Sequence, residues 1–532
     1  MTTLTYSPSP QQQAVLDWVD IDSGSLNVIA RAGCGKTSAL KLLVELLKSH
    51  PSNTHGVYVG AYNKPIADEI AAWMEAAGID WKQARAGTVH SLGYRTWIKL
   101  WRGVKTDGKK VAKIFDATWP ETKKDVSYDG VETMIPANRL ERSYRDFVID
   151  LVSYAKQRAF GVLCHIENRD EWFDCVDHFG LDENLEEDQS VETGIEMAIR
   201  IYRASLNQCR TVIDYDDMIL APLFFRARVW QFSWMLVDEA QDINPARRAL
   251  ILKSLRPGGR LVAVGDPAQA IYGFTGADVK SMDEIGKAMN SKTLPLNCTW
   301  RCPKTVVSLA NQWVPDLTAA PQAPEGMVRE ITLAEFDKEP LAAGDAILCR
   351  KSAPLIDVAY SLLRRGIPCR VEGRKIGEGL MKLAGRFKVK TLEALWNRLE
   401  EYRAKETQKW LAKEKEQKAA DVADSVDTLM VIIDKMAEVK KTDVSDLMKF
   451  LDDMFTDVKP GDPIVTLSTV HKSKGREWHR VFLLGRAKFM PSRWARKDWQ
   501  LVQETNLMYV AVTRAKHELI DVVVPVEKIK EP

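Results

Sequence analysis

Leu26-Asn27-Val28-Ile29-Ala30-Arg31-Ala32-Gly33-Cys34-Gly35-Lys36-Thr37 is the stretch on which the fold turns. An apolar run, Leu26 to Ala30, leads into a glycine-containing loop, and apolar residues at helical spacing follow from Leu40 through Leu47. Strand, loop and helix in that order let backbone N–H groups wrap phosphates at a helix N-terminus. Lys36 is placed to reach the β- and γ-phosphates, and the Thr37 hydroxyl to ligate Mg²⁺. Ala30 stands where the usual pattern has its first glycine, but the Gly33-Cys34-Gly35-Lys36-Thr37 core is intact. Ala32 and Ser38 complete the candidate cradle.

Such a cradle needs an acidic partner. Met235-Leu236-Val237-Asp238-Glu239 supplies one, a short apolar strand ending in two carboxylates. Asp238 is expected to hold Mg²⁺, directly or through water, and Glu239 to take the proton from the attacking water. Loop and carboxylates together imply an ATP or GTP hydrolase.

Further segments fall in a set order: Gln11-Gln12-Gln13-Ala14-Val15, Gly60-Ala61-Tyr62-Asn63-Lys64, Gly87-Thr88-Val89-His90-Ser91 and Ile213-Asp214-Tyr215-Asp216-Asp217. After the acidic motif Val237–Asp242 come Val264–Ala277, Leu296–Pro303, Ala346–Arg350, Thr469–Trp478 and Asn506–Lys516. In this combination the chain resembles the UvrD/Rep-like helicases of superfamily 1, from Gln11 to Lys516. The resemblance implies an α/β fold of two RecA-like, parallel-sheet motor domains, each interrupted by a mainly helical insert. It implies an ATP-dependent DNA helicase that moves 3′→5′ on single-stranded DNA, engages single-strand/duplex junctions and uses ATP with Mg²⁺.

By the same resemblance Gln11 reads adenine, with Gln12 the alternative. Gln269 senses the γ-phosphate, Glu477 in the Gly475-containing motif holds the ribose, and Arg301 and Arg514 from the second motor domain stabilise transition-state charge. The DNA contacts implied are Tyr62, Asn63, Lys64, His90, Ser91, Tyr272, Phe274, Thr469 and His471. Aromatic platforms suit a motor blind to sequence, because every base has a face to stack. Three positions depart from the family pattern. Ser38 replaces an arginine that packs on adenine, and Trp300 replaces a tyrosine, although an indole also stacks on a base. Ala61 replaces a phenylalanine, with Tyr62 one residue along as its substitute.

The motifs divide the chain into a first motor domain, 1–103 with 208–298, and a second, 299–378 with 460–532. The inserts are 104–207 and a reduced 379–459. Strands are expected at Ser25–Ala30, Gly56–Ala61, Met235–Asp238 and Arg260–Gly265, then at Asp345–Cys349, Pro368–Glu372, Ile464–Thr469 and Val481–Leu484. In the second insert Leu392, Leu395, Trp396, Leu399 and Tyr402 share a helical face, as do Val426, Leu429, Met430, Ile433 and Met436. Leu447, Phe450, Leu451 and Met454 form a third stripe. All three are expected to be core. Ten Lys/Arg against six Asp/Glu in 386–418 read as a solvated helix face, with contact to duplex DNA ahead of the motor as the alternative.

The whole chain, 532 residues with 75 Lys/Arg against 73 Asp/Glu, excludes a charge-dominated binder but allows a local basic groove. No long apolar run spans a membrane and no secretion signal opens the chain. Eight cysteines without paired spacing fit a reducing cytoplasm, in a bacterial or phage-infected cell. Cys298 and Cys302 lack a second pair to make a zinc site. Only sixteen residues follow Lys516, too few for a further domain, and the sequence names no protein partner. Two other readings remain: a translocase that strips proteins from single strands without unwinding, kept open by the reduced second insert, and a nucleotide-switched regulatory or defence subunit. Glu239, Arg301 and Arg514 count against the switch, since pure binding needs no hydrolytic set.

Overall fold

The computed structural model describes residues 7–21, 24–120, 122–126, 132–136, 139–185, 189–273, 280–372, 374–412, 416–438, 440–454, 464–492, 495 and 497–525. The chain forms two compact units, one of Met1–Ala30 with Gly35–Leu296, the other of Arg31–Cys34 with Asn297–Pro532.

The first unit is built on six strands, β1 (Leu26–Ala30), β2 (Val57–Ala61), β3 (Ala84–Thr88), β4 (Phe232–Val237), β5 (Leu255–Gly265) and β6 (Lys292–Leu296). They lie in the order β6-β1-β5-β4-β2-β3, all parallel. Every residue of β4 is buried, as the continuous apolar run of a strand covered on both faces requires. Pro295 sits in edge strand β6, where a missing N–H costs no ladder bond. In such a sheet the loops after the strands' carboxyl ends gather at one edge, and ligands bind there. That edge receives the loop at Lys36 after β1, Tyr62 to Lys64 after β2, His90 and Ser91 after β3, Asp238 and Glu239 after β4, and Asp266 to Gln269 after β5.

Between β3 and β4 the chain makes mostly helices, chiefly Lys110–Thr118, Arg145–Gln157, Arg169–Phe179 and Val191–Gln208, with one antiparallel hairpin, Thr122–Val126 against Glu132–Pro136. Departure and return are tied by Lys105–Thr106 pairing in parallel with Val212–Ile213. These helices share one core with the sheet: Phe115, Phe147, Trp172 and Tyr202 belong to the same buried cluster as Met235 and Leu261. Inside lies a charged knot. Lys110 Nζ is 2.6 Å from Asp217, and Lys156 Nζ is 2.5 Å from Asp214 and 2.8 Å from Asp217. Lys110 also donates to the Ser205 carbonyl and Lys156 to the Ser205 hydroxyl. Both lysines are fully buried, so pairing is the condition of their burial.

The second unit repeats the plan with β7 (Met327–Thr332), β8 (Ala346–Cys349), β9 (Cys369–Val371), β10 (Val465–Thr469), β11 (Trp478–Leu484) and β12 (Ala515–Val523). Their order is β7-β12-β11-β8-β10-β9, again all parallel. The two sheets are the RecA-like pair. Helices Leu392–Ala412, Glu416–Glu438 and Val444–Met454 form the interruption. Their apolar stripes are buried: Leu395, Leu399, Val426, Leu429, Leu447 and Leu451 join a core that runs through Leu355 and Leu362 to Leu467 and Phe482 of the sheet. Among the described residues no helix is long and apolar enough to cross a membrane.

Candidate functional site

In the first unit Gly35, with φ 79°, precedes helix Lys36–Leu47 in the left-handed region that favours glycine. Gln12 is buried beside it and donates through Nε2 to the Gly35 carbonyl at 3.3 Å. A Cβ on Gly35 would lie 2.9 Å from that amide nitrogen. Gln11, one residue back on the same helix, is half-buried. Thr37 and Ser38 open the helix, both half-buried.

Lys36 Nζ donates to both oxygens of Glu239, at 3.0 and 3.1 Å. Burial alone would lower the lysine's pKa, but Glu239, Asp238 and Asp266 outweigh it and hold the ammonium above its ordinary value. Glu239 has φ 49°, a conformation that strains any side-chain-bearing residue. Its backbone N–H donates to Asp238 Oδ1 at 2.9 Å. Gln241 Nε2 donates to Glu239 Oε2 at 2.5 Å, while Gln241 Oε1 accepts from Asp266 N at 3.0 Å. Asp266 Oδ2 in turn accepts from Gln269 Nε2 at 2.7 Å. An unbroken polar chain therefore runs from Lys36 through Glu239, Gln241 and Asp266 to Gln269. Gln241 and Asp266 lie inside the Val237–Asp242 and Val264–Ala277 motifs, where spacing alone gives them no role. Only their burial, with Asp266 and Gln241 both wholly shielded, reveals the connection.

Three residues past Gln269, Tyr272 stacks on Tyr62 with centroids 6.0 Å apart and planes 8° from parallel. The Arg247 guanidinium lies 5.7 Å from the Tyr62 ring. Burial and Asp242 push the Tyr62 hydroxyl up to about 12 against the opposing pull of Arg247. Tyr62, His90, Asp238 and Arg247 line one small depression. Burial, then Arg247, pushes His90 down to about 4, so its imidazole is neutral at physiological pH. Asn63 and Ser91 have local duties: Asn63 Oδ1 accepts from Ile66 N as a helix cap, and Ser91 Oγ donates to the Thr88 carbonyl at 2.7 Å. Lys64 is exposed and pairs with Asp68 at 2.6 Å. Phe274 lies outside the described residues.

In the second unit Arg301 and Lys516 both pair with Glu477, the lysine at 2.9 Å. Burial would raise the Glu477 pKa, but the two cations hold it below the usual carboxylate range. Arg514 is fully buried and donates to the carbonyls of Val510 at 2.9 Å and Arg476 at 3.1 Å. Burial, with Arg301 beside it, pushes its guanidinium down to about 10, still charged at neutral pH. Trp300 is 52% exposed, and its backbone N–H donates to the Gly33 carbonyl at 2.9 Å. Tyr509 OH accepts from Ala32 N at 2.9 Å, a loop contact no motif announced. Cys34 is buried, and Gly33, with φ 72°, has no room for a Cβ, which would fall 2.5 Å from Arg301 Cβ. Thr469 ends β10. Two residues on, half-buried His471 is pushed down to about 3 by burial and Arg350. Gly475 turns at φ 82° in open space.

Two family models match. Residues 9–290 fit the UvrD/REP helicase N-terminal domain. The chain belongs to the UvrD/REP helicase family. Residues 374–523 of this UvrD/REP-family chain fit the UvrD-like helicase C-terminal domain. It is similar to the ATP-dependent DNA helicase srs2 of Schizosaccharomyces pombe, 23% identical over 53% of this chain and 32% of the relative. It is also similar to the ATP-dependent DNA helicase PcrA of Leuconostoc citreum, 23% identical over 55% of this chain and 37% of the relative. A third is the ATP-dependent DNA helicase UvrD1 of Mycobacterium tuberculosis, 24% identical over 57% and 38%. The match spans about a third of the length of these curated relatives.

Proposed function

We propose that this UvrD/REP-family chain is an ATP hydrolase that drives itself along single-stranded DNA, 3′→5′, and separates duplexes at single-strand junctions. The observation that carries the coupling is the polar chain from Lys36 to Gln269, which ends three residues from the Tyr62–Tyr272 stack. A change at the γ-phosphate position reaches Gln269 through groups that are already hydrogen-bonded, and three residues of backbone separate Gln269 from the aromatic pair. The direction rests on the family resemblance alone.

In this reading residues 1–103 with 208–298 and residues 299–378 with 460–532 are the motor domains, and 104–207 and 379–459 their inserts. Ala32 to Gly35 cradle phosphate oxygens with backbone N–H groups, Lys36 meets the β/γ-phosphates, and Glu239 accepts the water's proton. Gln12 braces the loop while Gln11 faces the base, with Ser38 and Trp300 beside it. Glu477 holds the ribose and Gly475 gives its loop the turn. Arg301 and Arg514 stabilise the charge that develops on the transferred group. Thr37 and Asp238 fit Mg²⁺. Among the described residues no cluster of three His, Cys, Asp or Glu makes an all-protein cage, and Mg²⁺ ordinarily takes one or two protein groups plus substrate phosphates. When bound, it neutralises charge on the phosphates. Tyr62, Asn63, Lys64, His90, Ser91, Tyr272, Phe274, Thr469 and His471 form the DNA track.

The test is strand separation on duplexes with a 3′ or a 5′ single-stranded tail, with ATP, Mg²⁺ and Glu239→Gln as control, beside hydrolysis with and without single-stranded DNA. Opening of the 3′-tailed duplex by the wild type alone supports the proposal. Stimulated hydrolysis without opening leaves a protein-stripping translocase, and unstimulated hydrolysis overturns the motor reading.

A further inference from the structure

The first sheet's other edge, where the strands begin, carries exposed aromatics that the nucleotide site does not use. Trp81 stands just before β3 and is 62% exposed; Trp230, just before β4, is 38% exposed. Arg85 lies against both, its guanidinium 5.0 Å from the Trp81 ring and 4.8 Å from the Trp230 ring. Lys82 Nζ is 5.8 Å from Trp81. Among the described residues, Arg85, Arg95 and Arg228 make no ion pair. Burial, then the neighbouring Arg95, lowers the Arg85 pKa.

One helix links this surface to the candidate DNA contacts. Helix Val89–Leu100 carries Ser91 and Arg95 four residues apart, on one face. The Tyr58 hydroxyl, 3.5 Å from Ser91 Oγ, feels both Arg95 and Arg85. From Ser91 the helix face thus leads through Arg95 to the tryptophans. Uncompensated cations interleaved with exposed indoles match the chemistry of single-stranded nucleic acid, a polyanion with a stacking face on every base. An acidic polypeptide would satisfy the arginines but leave the indole faces without a purpose.

We propose that Trp81, Arg85 and Trp230, reached along Arg95, form a second segment of the single-strand path, with bases stacked on the indoles and phosphates on the arginines. This rests on the nucleic-acid reading above. The measurement is fluorescence anisotropy of the whole nucleotide-free protein with labelled oligothymidylates of about 8 and about 24 nucleotides, lengths set by ordinary single-strand site sizes. Trp81→Ala/Trp230→Ala is expected to weaken the long oligonucleotide by about 10–100-fold and leave the short one unchanged, since each stack is worth roughly tenfold or more. Trp81→Ala alone, at the more exposed position, gives part of that loss, and circular dichroism checks the fold of each variant. A long strand made abasic only outside the roughly eight nucleotides that the core track takes should bind the wild type as weakly as the long oligothymidylate binds the double variant. If the variant weakens neither length, or both equally, the proposal falls while the core track stands. If poly-L-glutamate displaces the long strand from the wild type but not from the double variant, and the abasic strand binds undiminished, the surface is an acidic-protein site instead. If the wild type binds neither oligonucleotide, the nucleic-acid reading itself falls.

Discussion

Glu239, the general base of the proposed mechanism, has a left-handed backbone, and its carboxylate is fixed by Lys36 and Gln241. The glutamine amide is itself pinned by Asp266 N and pressed by Gly265, where a Cβ would fall 2.4 Å from Gln241 Oε1. Gln241→Ala is therefore expected to lower kcat for ATP by roughly 10–100-fold while changing KM little, because misplacing a reacting group by an ångström costs about that much. Steady-state hydrolysis checks it; an unchanged kcat would remove Gln241 from the positioning role. The residues named from the sequence were those whose chemistry is visible in their type and spacing. Lys36, Asp238 and Glu239 announce themselves by a loop and a strand end. Gln241, Asp266 and Arg247 act through their neighbours in space, and Gln12 differs from Gln11 only by which side of a helix meets the loop. Asn63 and Ser91, named as DNA contacts from their motifs, turn out to have backbone duties that spacing alone does not reveal.

At the level of elements, most continuous apolar runs were legible and polar or interrupted strands were not. The strand expected at Ile464–Thr469 is Val465–Thr469, and Gly56–Ala61 is Val57–Ala61. By contrast β3, β6, β7 and β12 are not among the expected strands: β3 holds an arginine and a glycine, β6 a proline, Lys292, Thr293, Met327 and Val328 are exposed, and so are Lys516 and His517 at the start of β12. The hairpin Thr122–Pro136 interrupts an insert read as helical. What no pattern of periodicity shows is how the insert is fastened. The Lys110–Lys156–Asp214–Asp217 knot joins its helices to the segment after them, and Asp216 lies beside it, accepting from Ser153 Oγ at 2.7 Å. Burial, then Asp214, pushes Asp216 up to about 6. The folded state thus binds more protons than the unfolded one between about pH 4 and pH 6. Stability from this group is greatest below that window and is lost as pH rises through it. Asp216→Asn is expected to raise unfolding stability at pH 8 by about 2–3 kcal/mol and to change it little at pH 4, from the size of the shift. Urea melts at the two pH values decide; an equal effect at both would show that ionisation is not the cause.

On the scale of the whole molecule, the inserts do not stand apart: in each unit a hydrophobic core is shared by a sheet and the helices inserted into it. Cooperative cores open as units. Native-state hydrogen exchange should therefore give helix Val191–Gln208 the same opening free energy as β4, and helix Glu416–Glu438 the same as β8. A lower value for either helix, by more than about 2 kcal/mol, would make the insert a separately unfolding body. The chain's near-neutral balance, 75 basic against 73 acidic residues, hides the local arginine surface beside Trp81 and Trp230 because a sum has no address. The same shared core carries a mechanical consequence. An insert welded through buried lysines and aspartates has no joint at which to lag. Sheet and insert are therefore expected to turn as one rigid piece, so that a small tilt at the sheet becomes a longer sweep at the outer helices.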